Sequence, residues 1–423
     1  MTAAPPASLR LYGLASGAAS LAAPVWLRAR ASRGKEDPAR WAERLGRATL
    51  ARPAGRLAWL HGVSVGESLS LLPLIDRLRT ERPDVAVLVT SGTRASAELL
   101  AARLPPGAFH QYAPLDAPGA VARFLEHWRP ELGVLAESEL WPNLILGARA
   151  RGVRLALLSA RLSARSLAGW RRAPRAARAV LGAFDLLLAR DAAAAERFAA
   201  LGARVDGLAD LKFGVPPLPV DEAEWARARD RLGARPVLLA ASTHPGEEEI
   251  VLKAFQAAAP DAGTLLILAP RHPARGEAVA RLARELGLAA GRRTSGDALG
   301  DAPVYVADTV GELGLWYRLA ELAVIGGSLT HERVGGHNPL EPARLGCPFI
   351  SGPEVSAWPV YEALEAARAT RRVRPGELAD WFSQALLGDP ALAEMAARAS
   401  AFAAAGETAA GEAAERVLEL LDR

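Results

Sequence analysis

Ten short apolar runs, each separated from the next by a stretch of helical periodicity, are the feature that most limits what this chain can fold into. They fall at 57–63, 85–90, 132–136, 155–159 and 186–189, and again at 237–241, 265–269, 304–307, 322–325 and 348–350. Runs this short and this continuously apolar suit strands buried on both faces, and their alternation with helices predicts parallel sheets built from βαβ units. The same grammar occurs twice, on either side of 213–220, which reads FGVPPLPV. Three prolines in that stretch fix φ, remove amide donors and interrupt regular structure. The expected fold class is therefore α/β, with two Rossmann-like doubly wound domains facing a cleft. Their boundaries are set at 36–213 and 223–395, with a Pro-rich linker at 214–222. A final helical segment, 396–423, is placed to brace the N-terminal domain. In such sheets ligands bind outside the carboxyl ends of the strands.

Composition removes several function classes. Half of the 423 residues are hydrophobic and 23% are charged, which suits buried cores and not disorder. The single cysteine, Cys347, excludes an internal disulfide framework or a cysteine-based zinc site. The net charge of +4 is not gathered into Lys/Arg blocks interleaved with aromatics, so nucleic acid is not an expected partner. A mildly basic chain also suits an anionic membrane surface or a phosphorylated substrate. Lysine is nearly absent, at Lys35, Lys212 and Lys253 only. No protein partner, metal cluster, P-loop or GxSxG elbow is evident, and no cofactor is expected.

The N-terminus, 1–35, carries an apolar run, LYGLASGAASLAAPVWL, followed by Arg28, Arg30, Arg33 and Lys35. Three readings fit it: a membrane anchor (a marginal span or an interfacial helix), a cleaved signal, and an ordinary core helix. The expectation is an anchor. Basic residues after the run place the remainder of the chain on the cytoplasmic side.

Six constellations lie at expected strand ends. HGVSVGE ends at Glu67, for which two readings stand: N3 of a Ser64-x-x-Glu67 capping box, and a general base at the cleft. Glu137 and Glu139 directly follow the run 132–136, beside Trp141; Glu139 also reads as a helix cap and Trp141 as packing. Lys212 precedes the linker, where it could reach a phosphate or stand as a solvated charge. Ser242 and Thr243 end a run and, with the following helix amides, suggest an anion site; the acids Glu247, Glu248 and Glu249 suit the helix dipole and need no function. Pro270 and Arg271 follow 265–269, where a rigid arginine suits phosphate or a surface ion pair. Gly326, Gly327 and Ser328 allow close backbone approach. GGHNPLEP places Asn338, Pro339 and Glu341 as N-cap, N1 and N3 of a helix. Gly311 and Glu312 mark another helix start.

Taken in order, HGVSVGE, ESELWPNLI, ARLSARS, LKFG, STHPGEEE, APRHPAR, DTVGELGLWY and GGHNPLEP, with RWAERLG at 40–46, resemble the 3-deoxy-D-manno-octulosonic acid (Kdo) transferases of lipopolysaccharide synthesis. The resemblance spans nearly the whole chain. It implies a GT-B fold and an inverting transfer of Kdo from CMP-Kdo to a lipid A precursor (lipid IVA) at the cytoplasmic face of the inner membrane. It implies that Glu67 is the general base and that Glu137 and Lys212 stabilise the transition state, with Glu139 a less defined member. It places CMP on Pro270, Arg271, Gly311, Glu312, Leu313, Asn338, Pro339, Leu340 and Glu341, with further donor contacts at Ser242, Thr243, Gly327 and Ser328. One departure is the segment 330–334, which is longer than the family pattern. Two other readings remain: a GT-B transferase using another nucleotide sugar, and a membrane-associated binding protein without turnover.

Overall fold

The computed structural model describes residues 5–258, 263–330 and 334–423. The chain divides into two compact units, Met1–Val215 with Gly406–Arg423, and Pro216–Ala405.

The first unit holds seven parallel strands: β1 (Arg56–His61), β2 (Val85–Ser91), β3 (Ala108–Tyr112), β4 (Leu132–Ala136), β5 (Arg154–Ala160), β6 (Leu186–Ala189) and β7 (Gly207–Leu208), in the order β3-β2-β1-β4-β5-β6-β7. Strand periodicity sends alternate side chains to opposite faces. Ala58 and Leu60 of β1 enter one core, with Leu71 and Ile75 of the helix Val65–Glu81 and with Val417 and Leu421 of the final helix. Leu57 and Trp59 enter the other, with Phe124 and Trp128. That final helix runs from Pro390 to Asp422, so its two ends belong to different units.

The second unit repeats the plan with β8 (Val237–Thr243), β9 (Leu265–Pro270), β10 (Ala290–Arg292), β11 (Val304–Val306), β12 (Leu322–Ile325), β13 (Phe349–Ser351) and β14 (Arg371–Arg372). The order is β10-β11-β9-β8-β12-β13-β14, again all parallel. Leu239 and Ala241 of β8 face one core, Leu238 and Ala240 the other. Two parallel α/β sheets meet the fold expectation; β3, β7, β10 and β14 were not among the ten expected strands. The 330–334 segment lies largely outside the described residues.

The N-terminal expectation needs correction where it allowed a membrane span. The apolar run forms two helices, Ala7–Ser20 and Ala23–Ala31, with a break at Leu21 and Ala22. No helix among the described residues is long and apolar enough to cross a membrane. The first helix is tied down by Tyr12, whose hydroxyl donates to Asp116 at 2.9 Å, and by Ser16, which accepts from Asn143 at 3.0 Å. Leu11, Leu14, Leu21, Val25 and Trp26 stay exposed while Leu9 and Leu27 are buried.

The RWAERLG motif has a packing role. Glu43 is fully buried and accepts from Arg40 at 3.0 Å and from the Tyr112 amide at 2.7 Å. Arg40 also donates to His110 Nδ1 at 3.2 Å, so His110 carries its proton on Nε2, 2.9 Å from Ser91 Oγ. Burial, and then the Arg40 charge, push His110 down to about 3 from 6.5. A histidine held neutral when folded takes up a proton on unfolding, so its stabilisation is complete above pH 6.5 and is lost as pH falls towards 3. Thermal unfolding measured across that window should show a falling midpoint, and His110→Asn should flatten part of the slope.

Candidate active site

The first unit's sheet changes direction between β1 and β4: β1 connects outward to β2, β4 outward to β5. Crevices at such points, above the strand carboxyl ends, are where doubly wound sheets take ligands. Glu67, in the first turn of the helix that follows β1, and Glu137, directly after β4, sit at the carboxyl ends of these two neighbouring strands.

Ser64 caps the helix Val65–Glu81, accepting from the Glu67 amide at 3.3 Å. The Glu67 carboxylate reaches back, accepting from the Val63 amide at 2.6 Å and from Ser64 Oγ at 2.9 Å. The Ser64 half of the capping box forms; the Glu67 half is displaced by one residue, to the Val63 amide instead of that of Ser64, and these bonds fix the carboxylate at the start of the helix. A carboxylate has about four acceptor sites, so two remain open to an incoming hydroxyl.

Glu137 follows β4 in a left-handed conformation, φ 60°, which is uncommon for a side chain with a Cβ. It is buried, with Oε1 3.1 Å from Lys212 Nζ and Oε2 3.1 Å from Arg161 Nε. Lys212 stands out in the sequence, whereas Arg161 lies inside ARLSARS without a distinguishing spacing. Lys212 is set by the short 3₁₀ turn Leu211–Gly214, capped by Asp210, whose carboxylate accepts from the Lys212 amide at 3.0 Å. Burial pushes the Asp210 carboxyl above its usual range, and Glu137 adds to the push. Glu139 stands apart from this group: it lies 3.6 Å from His61 Nε2 and accepts from the Trp141 indole.

The second unit's sheet changes direction between β8 and β12. Here Ser242, φ 57°, lines a cavity of about 180 Å³ with Pro270, Arg271, Gly311, Leu313 and Trp316. Ser242, Pro270, Arg271, Gly311 and Leu313, all expected near the donor, thus meet from the carboxyl ends of β8, β9 and β11. Glu312 is committed elsewhere: its carboxylate accepts from Arg293 at 2.6 Å and from Thr309.

Thr243, Gly327 and Ser328 have partners within the protein. The Thr243 hydroxyl donates to Glu248 at 2.9 Å. Glu247, fully buried, accepts from the amides of His244, Gly327, Ser328 and Leu329 at 2.7 to 2.8 Å. The chain's own carboxylate fills the cradle, and the Gly327 and Ser328 amides are taken. Glu247 and Glu248 are buried because they lie on the inward side of their helix, while Glu249 pairs with Lys253 on the surface.

The GGHNPLEP helix, Leu340–Arg344, begins one residue later than expected, with Pro339 at its N-cap. Asn338 still caps it: its Oδ1 accepts from the Leu340 amide at 3.1 Å, and its Nδ2 donates to Glu341 at 3.4 Å. Burial pushes the Glu341 carboxyl up, while Asn338, Arg271 and Arg344 oppose this. His337, unassigned from sequence, stacks on His244 with 2.9 Å between their Nε2 atoms. Burial first, then His244, push it down to about 4.

The family model described as 3-deoxy-D-manno-octulosonic-acid transferase (kdotransferase) matches residues 39–215, the segment that carries Glu67, Glu137 and Lys212. A 3-deoxy-D-manno-octulosonic acid transferase of Bordetella pertussis is 37% identical over 91% of this chain and 92% of its own length. The chain belongs to the Kdo transferases. A probable mitochondrial member from Arabidopsis thaliana is 36% identical, covering 81% of this chain and 79% of that protein. This Kdo transferase is accordingly a glycosyltransferase. A glycosyltransferase from Rickettsia africae ESF-5 shares its fold, with a TM-score of 0.56 at 11% identity over 87% of this chain and 99% of that one.

Proposed function

We propose that this Kdo transferase moves Kdo from CMP-Kdo to a glucosamine hydroxyl of a lipid A precursor (lipid IVA), with inversion at the anomeric carbon. The observation that carries the reading is the placing of Glu67 and Glu137 just beyond the carboxyl ends of β1 and β4, at the switch point. In this mechanism Glu67 takes the proton of the acceptor hydroxyl as its oxygen bonds to the anomeric carbon. The bond from that carbon to the CMP phosphate oxygen breaks, and its electron pair leaves with CMP. The reacting carbon gains positive character, which suits a nearby carboxylate; the departing phosphate gains negative charge, which suits Lys212. Pro270, Arg271, Gly311 and Leu313 receive the nucleotide, with Asn338 and Glu341 on its ribose. No cofactor enters.

The N-terminal helices are assigned to the cytoplasmic surface of the inner membrane, lying in it and not across it. Exposed Leu11, Leu14, Leu21, Val25 and Trp26, followed by Arg28, Arg30, Arg33 and Lys35, support that assignment.

Calorimetric titration of the full chain with CMP, UDP and ADP tests the donor. CMP should bind at least about tenfold more tightly than either other nucleotide, a difference a few hydrogen bonds to the base can supply. Preference for UDP or ADP would reassign the chain to another nucleotide sugar.

A further inference from the structure

At the carboxyl end of β4 one buried carboxylate holds two cations apart. Glu137 has a side-chain exposure of 8%, whereas its partners are half-open: 31% for Lys212 and 49% for Arg161. Each cation takes one carboxylate oxygen, at 3.1 Å in both cases. Both cations thus keep part of their side chains open to solvent while the carboxylate between them is buried, and Asp210 stands behind the Lys212 turn.

The backbone is arranged to hold this geometry. Glu137 and Ser159, at the ends of the paired strands β4 and β5, both adopt left-handed conformations, φ 60° and 50°. Such conformations at non-glycine residues persist only where the surroundings fix them. The Glu137 amide donates to the Leu158 carbonyl at 2.9 Å, and its carbonyl accepts from the Arg161 amide at 3.2 Å. Ser159 Oγ accepts from the Leu211 amide at 2.8 Å, which fixes the turn bearing Lys212. Arg161 Nε lies 3.1 Å from Glu137 and donates to Ser138 Oγ at 3.2 Å. Among the described residues, no protein acceptor hydrogen-bonds its two terminal nitrogens. A guanidinium held by one edge presents the other to a ligand, and planar forked donors match carboxylate and phosphate oxygens.

We propose that Arg161 and Lys212 form an anion site, with Glu137 as the spacer that sets their separation, and that it binds a carboxylate or phosphate group of a substrate. This rests on the function proposed above and adds to it a binding residue, Arg161, and a second task for Lys212. Two substrate groups have this chemistry: the sugar-acid carboxylate of the donor and a phosphate of the acceptor.

The test is Arg161→Gln in the full chain, with Arg161→Lys as the conservative variant. Steady-state kinetics are read against CMP-Kdo and against acceptor. Equilibrium binding is read separately with a glucosamine disaccharide that carries its phosphates and with the same sugar without them. If the site takes the acceptor phosphate, Arg161→Gln weakens binding of the phosphorylated sugar by at least about tenfold and leaves the dephosphorylated one unchanged. If it takes the donor carboxylate, KM for CMP-Kdo rises by about tenfold or more and acceptor binding is unaffected. Arg161→Lys should recover most of either loss. A folded Arg161→Gln variant with both KM values and both affinities within about twofold of the parent overturns the proposal. Absence of Kdo transfer by the parent, with phosphate-dependent sugar binding still lost in the variant, would sink the proposed reaction and keep the anion site.

Discussion

Glu67→Gln should lower Kdo transfer by about 10²–10⁴-fold, the usual contribution of a positioned general base, while leaving the fold in place. The two halves of this expectation come from one geometry. At N3 of this helix glutamine substitutes well for glutamate, because its carbonyl oxygen can still accept from the Val63 amide now 2.6 Å from the carboxylate. What glutamine lacks is the second oxygen, which accepts from Ser64 Oγ at 2.9 Å, and any capacity to take a proton. The loss of cap stability should stay within about 1 kcal/mol. Turnover and the unfolding midpoint, measured on the same preparation, separate the roles. A variant that loses midpoint but keeps transfer within a few-fold would leave Glu67 with the cap alone.

The largest stability effect is expected at Glu247. Its carboxylate accepts from four amides, those of His244, Gly327, Ser328 and Leu329, three of them in the turn after β12. Glu247→Ala leaves these donors facing a buried hole. At roughly 1–3 kcal/mol for each unsatisfied buried group, with some relief from relaxation, a loss of about 3–5 kcal/mol follows. Glu247→Gln should fall between, since one amide oxygen can serve about two donors while the NH₂ group opposes the others. Glu249→Ala, two residues on, removes only an exposed pair with Lys253 and should cost less than about 0.5 kcal/mol. Denaturant midpoints for the three variants make the comparison. A Glu247→Ala midpoint equal to that of Glu249→Ala would show that water replaces the carboxylate at no cost.

That contrast marks where the sequence stops being legible. Glu247, Glu248 and Glu249 look alike in a row, and all three suit the first turn of a helix. Which of them is buried depends on the rotation of that helix against β8 and β12, a tertiary fact. Arg161 was hidden for the same reason: its value lies in meeting Glu137 and Lys212, 24 and 51 residues away in the chain, counted from their numbers. The central strands of both sheets were readable because burial on both faces makes them continuously apolar. β3 was not, since AFHQY turns His110 and Gln111 inward to Arg40 and Trp128 and so lacks an apolar run. β7, β10 and β14, of two or three residues each, are too short to leave a pattern. The apolar run at the N-terminus was legible as apolar; the helix break at Leu21 and Ala22, which divides the run into two short helices, was carried only by Pro24 and the small residues around it.

The most direct measurement is mass spectrometry of a lipid A precursor incubated with CMP-Kdo and the purified chain. The account predicts product masses raised by whole Kdo units, with the number of increments counting the additions, and free CMP released in equal amount. An unchanged acceptor mass with folded protein that binds CMP would contradict it.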